Sequence, residues 1–261
     1  MTGLPAGLAA FDLTGRTALV TGSSQGIGRT LAEGLADAGA RVVVHGRDAA
    51  KAASAAAAIE AATGVETRSV VFDVTETDAV DAGMTAVERL IGTPDILVNN
   101  AGVQRRAPIA QFADADWDAL VQTNLSSVFH LSRRVAAGMI ARGSGKIIQI
   151  GSVQSQLARP SIAAYAATKG AIVMFTKGLC ADLAPLGIQA NAIAPGYFAT
   201  ELTKALVEDE QFSAWVRGRT PAGRWGDTRD LVGALIFLAS PASDFVNGQT
   251  LFVDGGMTAV V

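Results

Sequence analysis

The sequence holds a single cysteine, Cys180, among 261 residues. An internal disulfide is excluded, and the expected setting is a reducing one, the cytoplasm. Histidine is almost as scarce, with only His45 and His130. So few soft ligands argue against a protein-built zinc site, and no metal is expected. Charged residues make up 17% of the chain and the net charge is −3. With no basic run, nucleic acid is not expected as a partner. No run of 18 apolar residues occurs, so no membrane-spanning helix is expected. Met1 to Ala10 lacks the basic start and unbroken apolar core of a secretory signal, and Pro5 interrupts it. Linkers, low-complexity breaks and internal repeats are also missing. One domain over residues 1–261 is therefore expected, with residues 1–12 as an N-terminal extension.

Apolar residues and glycine are abundant, at 49% and 28 residues respectively. The glycines cluster first in Thr21-Gly22-Ser23-Ser24-Gln25-Gly26-Ile27-Gly28. An apolar run, Thr17 to Val20, precedes this stretch and reads as a buried strand. Arg29 to Ala38 follows, with Leu31, Leu35 and Ala38 at helical spacing. A strand, a glycine turn and a helix N-terminus form a cradle for phosphate: backbone can approach closely, and free N–H groups face the charge. The spacing Gly22-x3-Gly26-x-Gly28 departs from the G-x-G-x-x-G dinucleotide fingerprint. By itself the turn is a weak signal.

Strands and helices alternate after it. Strands are expected at Arg41–His45, from Val70 to Phe72, and at Asp95–Val98, Lys146–Ile150, Ile188–Ile193 and Thr250–Val253. Helices are expected at Asp48–Ala62 with Asp48 as N-cap, and at Thr77–Ile91 with Val80, Met84, Val87 and Leu90 or Ile91 inward. Further helices are expected from Asp114 to Arg142 in two segments, over Ser161–Leu186, and at Leu231–Ala239. The strands are short continuous apolar runs, which argues for a parallel sheet covered on both faces. The fold class is α/β: a doubly wound Rossmann sheet of about seven strands. Glycine- and asparagine-rich stretches follow several strands, as a ligand cleft at the strand ends requires.

The second strand ends in His45-Gly46-Arg47. A carboxylate at that point would favour the ribose hydroxyls of NAD, whereas an arginine accommodates the extra phosphate of NADP. Arg47 offers a planar, permanently charged fork, and Asp48 is assigned to the helix cap. NADP is therefore favoured, with NAD as the weaker alternative.

Tyr165 and Lys169 stand four apart on an expected helix, hence on one face. A tyrosine of pKa about 10 is a poor base at neutral pH. A neighbouring ammonium would lower that value and make the pair a general acid and base for a hydroxyl or carbonyl. Ser152 follows a strand end and can bind the same oxygen. His45 and His130 read as packing or surface residues rather than catalysts, and Cys180 as a small core residue. Trp225 either lines the site or packs an interface.

The combination resembles the short-chain dehydrogenase/reductase family, over roughly Leu13 to Gly256. Thr21-Gly22-x3-Gly26-x-Gly28 matches that family's cofactor turn, including Ser24, Gln25 and Ile27. Asp73-Val74 matches its adenine contact, and Asn99-Asn100-Ala101-Gly102 its strand-four motif. Asn124, Ser152, Tyr165 and Lys169 match its catalytic tetrad. Pro195-Gly196 with Phe198 and Thr200 matches the segment at the nicotinamide end. The resemblance implies a homotetramer, and a water held by Lys169 and Asn124 that supplies protons to Tyr165.

Within the family, several stretches are similar to those of gluconate 5-dehydrogenases. They are Asn99 to Pro108, Ser152-Val153-Gln154-Ser155, Pro195 to Glu201 and Arg219 to Gly226. That resemblance implies a small-molecule substrate pair, D-gluconate and 5-keto-D-gluconate. An anionic sugar acid needs a cation near the cleft, and Arg105-Arg106 follow the strand-four motif. They either touch substrate, with Gln154 beside them, or are solvated or subunit-contact residues; Arg106 is the favoured one. Alternatives are a 3-oxoacyl thioester reductase, another ketone or polyol reductase, and an NADP-binding regulatory protein without turnover.

Overall fold

Seven strands and ten α-helices alternate along the residues described by the computed structural model, which are 5–261 apart from the side chains of Ala6 and Leu202. Residues 1–4 of the expected N-terminal extension lie outside the described residues. In chain order the elements are α1 (Ala6–Ala9), β1 (Thr17–Val20), α2 (Gly26–Asp37), β2 (Arg41–Gly46), α3 (Ala49–Thr63) and β3 (Thr67–Val71). Next come α4 (Thr77–Ile91), β4 (Ile96–Asn99), α5 (Asp114–Val121), α6 (Ser127–Arg142), β5 (Gly145–Ile150) and α7 (Ala163–Leu183). The chain ends with β6 (Ile188–Pro195), α8 (Lys204–Glu208), α9 (Glu210–Arg219), α10 (Val232–Ala239) and β7 (Thr250–Val253).

All strands pair in parallel, in the order β3-β2-β1-β4-β5-β6-β7. Side chains along a strand point to alternate faces, so a strand buried on both faces must be apolar throughout. Ala18 and Val20 join one apolar cluster and Leu19 the other. Val42 and Val44 divide from Val43 in the same way, as do Ile96 and Val98 from Leu97. Leu31 and Leu35 of α2, Ala52, Ala55 and Ile59 of α3, and Leu235 of α10 cover the first face. Val80 and Met84 of α4, Leu131 and Met139 of α6, and Leu183 of α7 cover the second. The continuous apolar runs are thus explained by a sheet between two helical layers, a single-domain Rossmann fold.

Local signals set the helix ends. The Asp48 carboxylate accepts from the Lys51 N–H at 3.0 Å and caps α3, while Gly64 ends it at φ 71°. In α4 Ile91 packs inward and Leu90 stays exposed. The expected break between Asp114 and Arg142 is a π-helical turn, Gln122–Ser126, that joins α5 to α6. Ser161 stands at φ 66° outside α7, which begins two residues later. Helices α8 and α9 have no counterpart in the sequence expectations. Their few apolar residues, such as Phe212 and Trp215, pack against Tyr197 from the loop after β6. Cys180 is half-buried against Gly248 and is not a core residue. No helix among the described residues is long and apolar enough to cross a membrane.

Candidate active site

Chain order reverses between β1 and β4, and the cleft opens at the carboxyl ends of those strands. Its volume is about 450 Å³, a size typical of small-molecule sites. After β1 the chain turns at Gly22, φ 62°, where a Cβ would meet the Ala101 Cα at 2.9 Å. A Cβ on Gly28 would lie 2.4 Å from both the Gly22 carbonyl oxygen and the Asn100 Nδ2. These two positions admit no side chain. The Asn100 amide donates to the carbonyls of Thr21 and Gly22, at 2.8 and 3.1 Å, and its own N–H donates to the Thr21 hydroxyl. Asn100 therefore fixes the turn rather than merely lining it. Gly22, Ser24, Gln25, Gly26, Ile27 and Gly28 all border the cleft, with Ala101 and Gly102 opposite. Gln25 places no side-chain cap on α2, so the first N–H groups of that helix stay free for an anion. A dinucleotide pyrophosphate fits this cradle.

His45, expected to pack, also holds the turn. Its Nδ1 accepts from the Gly22 N–H at 3.0 Å, and its Nε2–H donates to the Phe72 carbonyl at 3.0 Å. These roles require the neutral Nε2–H tautomer. Burial lowers its pKa to about 4, although the Phe72 hydrogen bond and the Asp73 charge oppose the shift. Arg47 stands at the cleft margin with an exposed side chain, 3.7 Å from Asp73. Asp73 itself accepts from the N–H and hydroxyl of Thr75, at 2.9 and 2.8 Å, and Val74 lines the cleft beside it. The lone fork of Arg47 suits a phosphate at this end.

At the other end stand Ser152, Tyr165 and Lys169. Ser152 follows β5, accepts from the Gln154 N–H at 3.2 Å, and hydrogen-bonds the Tyr165 phenol. Lys169, one turn after Tyr165 on α7, donates to the Ile150 carbonyl at 2.7 Å. Its Nζ lies 5.8 Å from the Tyr165 ring centre. Asn124 sits in the π turn, and its amide is matched to both backbone groups of Val103. Gly102 separates Asn124 from Lys169: a Cβ there would lie 3.3 Å from Asn124 Oδ1 and 4.0 Å from the Lys169 Nζ.

The electrostatics differ from the simple ion-pair expectation. Burial pushes the Tyr165 phenol up, against the Ser152 hydrogen bond and the Arg106 charge, which lower it. Burial also brings the Lys169 ammonium down to about 8. The cation whose charge lowers the Tyr165 pKa is Arg106, while Lys169, at about 8, is still mostly protonated at neutral pH.

Arg106 lines the cleft, whereas Arg105 points away and pairs with Asp116 at 3.1 Å. Gln154, Pro195, Gly196, Phe198 and Thr200 border the same end, and Thr200 caps the short turn Glu201–Thr203. Trp225 donates to the Ser213 hydroxyl at 3.1 Å and packs edge-on to Tyr197, beneath α9. Two further residues line the cleft: Tyr197, which lies within the Pro195 to Glu201 stretch but has no assigned role there, and Arg159, which carries no motif signal. A single cation after the Ser152 segment was the available hint for Arg159.

A sequence profile described as enoyl-(acyl carrier protein) reductase matches residues 22–258. The chain is 56% identical over 248 residues to the gluconate 5-dehydrogenase of Gluconobacter oxydans, covering 95% of this chain and 96% of that one. The chain belongs to the short-chain dehydrogenase/reductase family. It is also 49% identical to the 5-keto-D-gluconate 5-reductase of Escherichia coli, over 96% of this chain and 98% of that one. The crystal structure of a gluconate 5-dehydrogenase from Burkholderia cenocepacia, in complex with NADP and tartrate, matches with a TM-score of 0.95 and 59% identity. That match covers 98% of this chain and 100% of the other. As a member of the short-chain family with such relatives, the chain is an oxidoreductase acting on CH–OH groups.

Two outcomes follow from the titrating groups. Oxidation by a Tyr165 base needs the phenolate, so its rate should rise with pH, and a flat profile would remove Tyr165 from that role. Arg106→Ala removes a charge that lowers the Tyr165 pKa, so the rising limb moves to higher pH. An unmoved profile would dissociate Arg106 from Tyr165. The folded protein keeps His45 neutral down to about pH 4, while the unfolded chain takes up a proton near 6.5. Stability therefore falls as the pH drops from 6.5 to 4, by about 3 kcal/mol from this group. His45→Gln lacks that component, so its stability gap to wild type narrows across the window in urea titrations. A gap independent of pH would show that His45 is not held neutral.

Proposed function

We propose that this chain is an NADP(H)-dependent oxidoreductase that interconverts D-gluconate and 5-keto-D-gluconate. The observation that carries the reading is the distribution of charge in one cleft. Arg47 marks the dinucleotide end, Tyr165 with Ser152 the reacting centre, and Arg106 the far end beside Tyr165. A thioester with an acyl tail would place hydrocarbon where Arg106 stands, which favours the sugar acid over the 3-oxoacyl alternative.

NADPH, when bound, supplies the hydride for reduction. In that direction the Ser152 hydroxyl holds the substrate carbonyl, and Tyr165 gives its phenolic proton to the oxygen. A water between Lys169 and Asn124 would return a proton to Tyr165. In oxidation Tyr165 takes the hydroxyl proton instead. The raised phenol pKa favours the protonated form at neutral pH, and hence the reduction of 5-keto-D-gluconate there. The relatives support the cofactor and the substrate class: the Burkholderia enzyme holds NADP and a dicarboxylate, and NAD remains the weaker alternative for this chain.

A homo-oligomer, a tetramer by family resemblance, goes with this reading. Trp117, Phe129 and Met174 are exposed on α5, α6 and α7, and Leu251 on the edge strand β7. Such apolar surface fits subunit contacts. The one unpaired cysteine supports a cytoplasmic setting.

The test follows NADPH absorbance with 5-keto-D-gluconate, an acetoacetyl thioester and simple ketones. The keto acid should give the highest kcat/KM, and turnover of the thioester alone would overturn the reading. Tyr165→Phe should lose about 10²–10⁴-fold in kcat, with NADPH binding kept. Arg47→Ala should weaken NADPH by about 1.5–3 kcal/mol and leave NADH nearly unchanged. Equal losses for both cofactors would remove Arg47 from the phosphate site.

A further inference from the structure

Arg159 belongs to no motif, yet it faces the reacting end of the cleft. It leaves the short turn after Ser152 and is half-buried. Its Nε donates to the Tyr197 hydroxyl at 3.1 Å, and its guanidinium lies 5.5 Å over the Phe212 ring. Those contacts hold the plane of the group, and its two terminal nitrogens make no hydrogen bond among the described residues. Arg106 borders the same cleft, with one terminal nitrogen on the Gln104 side-chain oxygen at 2.5 Å. The two arginines are close enough that Arg159 and burial both depress the Arg106 pKa. Like charges brought together in a half-dry cleft need a counter-charge. Among the described residues, no carboxylate pairs with either. Glu201 borders the cleft but forms no ion pair with them.

A third group points the same way. Gln154 is only 9% exposed, and its amide nitrogen donates to the Tyr197 hydroxyl at 3.3 Å. Its Oε1 is buried and has no partner. A buried acceptor without a donor is costly, and a ligand hydroxyl would satisfy it. Two guanidiniums with no carboxylate partner among the described residues, and one acceptor without a donor, describe the complement of a carboxylate bearing a neighbouring hydroxyl.

We propose that Arg159, together with Arg106, clamps the substrate carboxylate, while the Gln154 side-chain oxygen accepts from a hydroxyl of the same substrate. The site is thereby specific for polyhydroxy acids, and Arg159 is a specificity-determining residue. Tyr197 bridges Arg159 and Gln154 and sets their spacing. The inference rests on the sugar-acid reading given above.

The experiment compares wild type, Arg159→Gln and Arg159→Lys on 5-keto-D-gluconate and on an uncharged hexulose. Calorimetry of tartrate binding to the NADP-loaded protein is run in parallel. Arg159→Gln keeps a hydrogen-bond donor for Tyr197 and removes the charge. Its KM for the keto acid should rise about 10–100-fold, and its tartrate affinity should fall by a similar factor. Its kcat/KM for the uncharged hexulose and its melting temperature should stay close to wild type. Arg159→Lys should recover part of the lost affinity. Equal losses on charged and uncharged substrates would make Arg159 a structural support for Tyr197 and overturn the proposal. So would unchanged tartrate affinity, or no tartrate binding by wild type. If wild type binds tartrate through Arg159 but does not reduce 5-keto-D-gluconate, the substrate reading fails and the anion clamp stands.

Discussion

The closeness of two backbones, at Gly22 and Gly28, is the constraint on which the site depends. A single methyl group at either position would collide with main-chain or Asn100 atoms. Because nothing intervenes, the turn after β1 can lie directly against the chain leaving β4. Thr21 and Asn100 then tie the two strand ends together, and His45 ties in the end of β2 and the carbonyl after β3. Four neighbouring strands thus converge on one turn. The free N–H groups of α2 face the cleft because this tie fixes where the helix begins. The sheet supplies the rigidity, since both of its faces are packed and no strand can shift register without exposing apolar side chains.

The reacting end is built on different terms. There the side chains are dried rather than tied. Tyr165 and Lys169 are deeply placed, and burial opposes charge on both. The result is a centre that favours its neutral forms and depends on Arg106 and Ser152 for any tendency toward phenolate. Ser152 owes its place to β5, which ends two residues before it, and the π turn presents Asn124 to the Val103 backbone. An extra residue in a helix at such a point is a common mark of function.

Most of the fold was legible because strand burial leaves a plain trace. Val42-Val43-Val44 and Ile147-Ile148 admit few other readings, and Asp48 and Gly64 announce the ends of α3. The glycine turn and the Tyr165–Lys169 spacing were legible because their chemistry constrains sequence locally. The helix pair α8 and α9 was not. It is amphipathic only with respect to a few aromatic residues, and its partner Tyr197 lies outside it in the chain. Arg159 escaped for the same reason: its role comes from Tyr197, Gln154 and Arg106, which meet only in space. His45 looked like a packing residue and is one, but its hydrogen bonds to the glycine turn depend on strand register. Cys180 looked apolar by its helix neighbours, and the loop before β7 leaves it half-covered instead.

Charge along the cleft ties these parts into one device. Arg47 at one end pairs with Asp73 at 3.7 Å, and its side chain is exposed enough to reach a phosphate. Arg106 and Arg159 at the other end form no ion pair with a carboxylate among the described residues. Between them lies a stretch where burial opposes charge on Tyr165 and lowers the Lys169 pKa to about 8. A ligand pair with anionic outer ends and an uncharged reacting carbon would cancel the end charges and leave the middle dry. Hydride transfer needs the reacting atoms held in contact, and electrostatic anchors at both ends achieve that without adding charge at the centre. A neutral substrate would leave two guanidiniums uncompensated beside Tyr165. On the proposed reading the arginines favour an acid by compensating its charge, and they stand in the same cleft as Tyr165, whose pKa the Arg106 charge lowers.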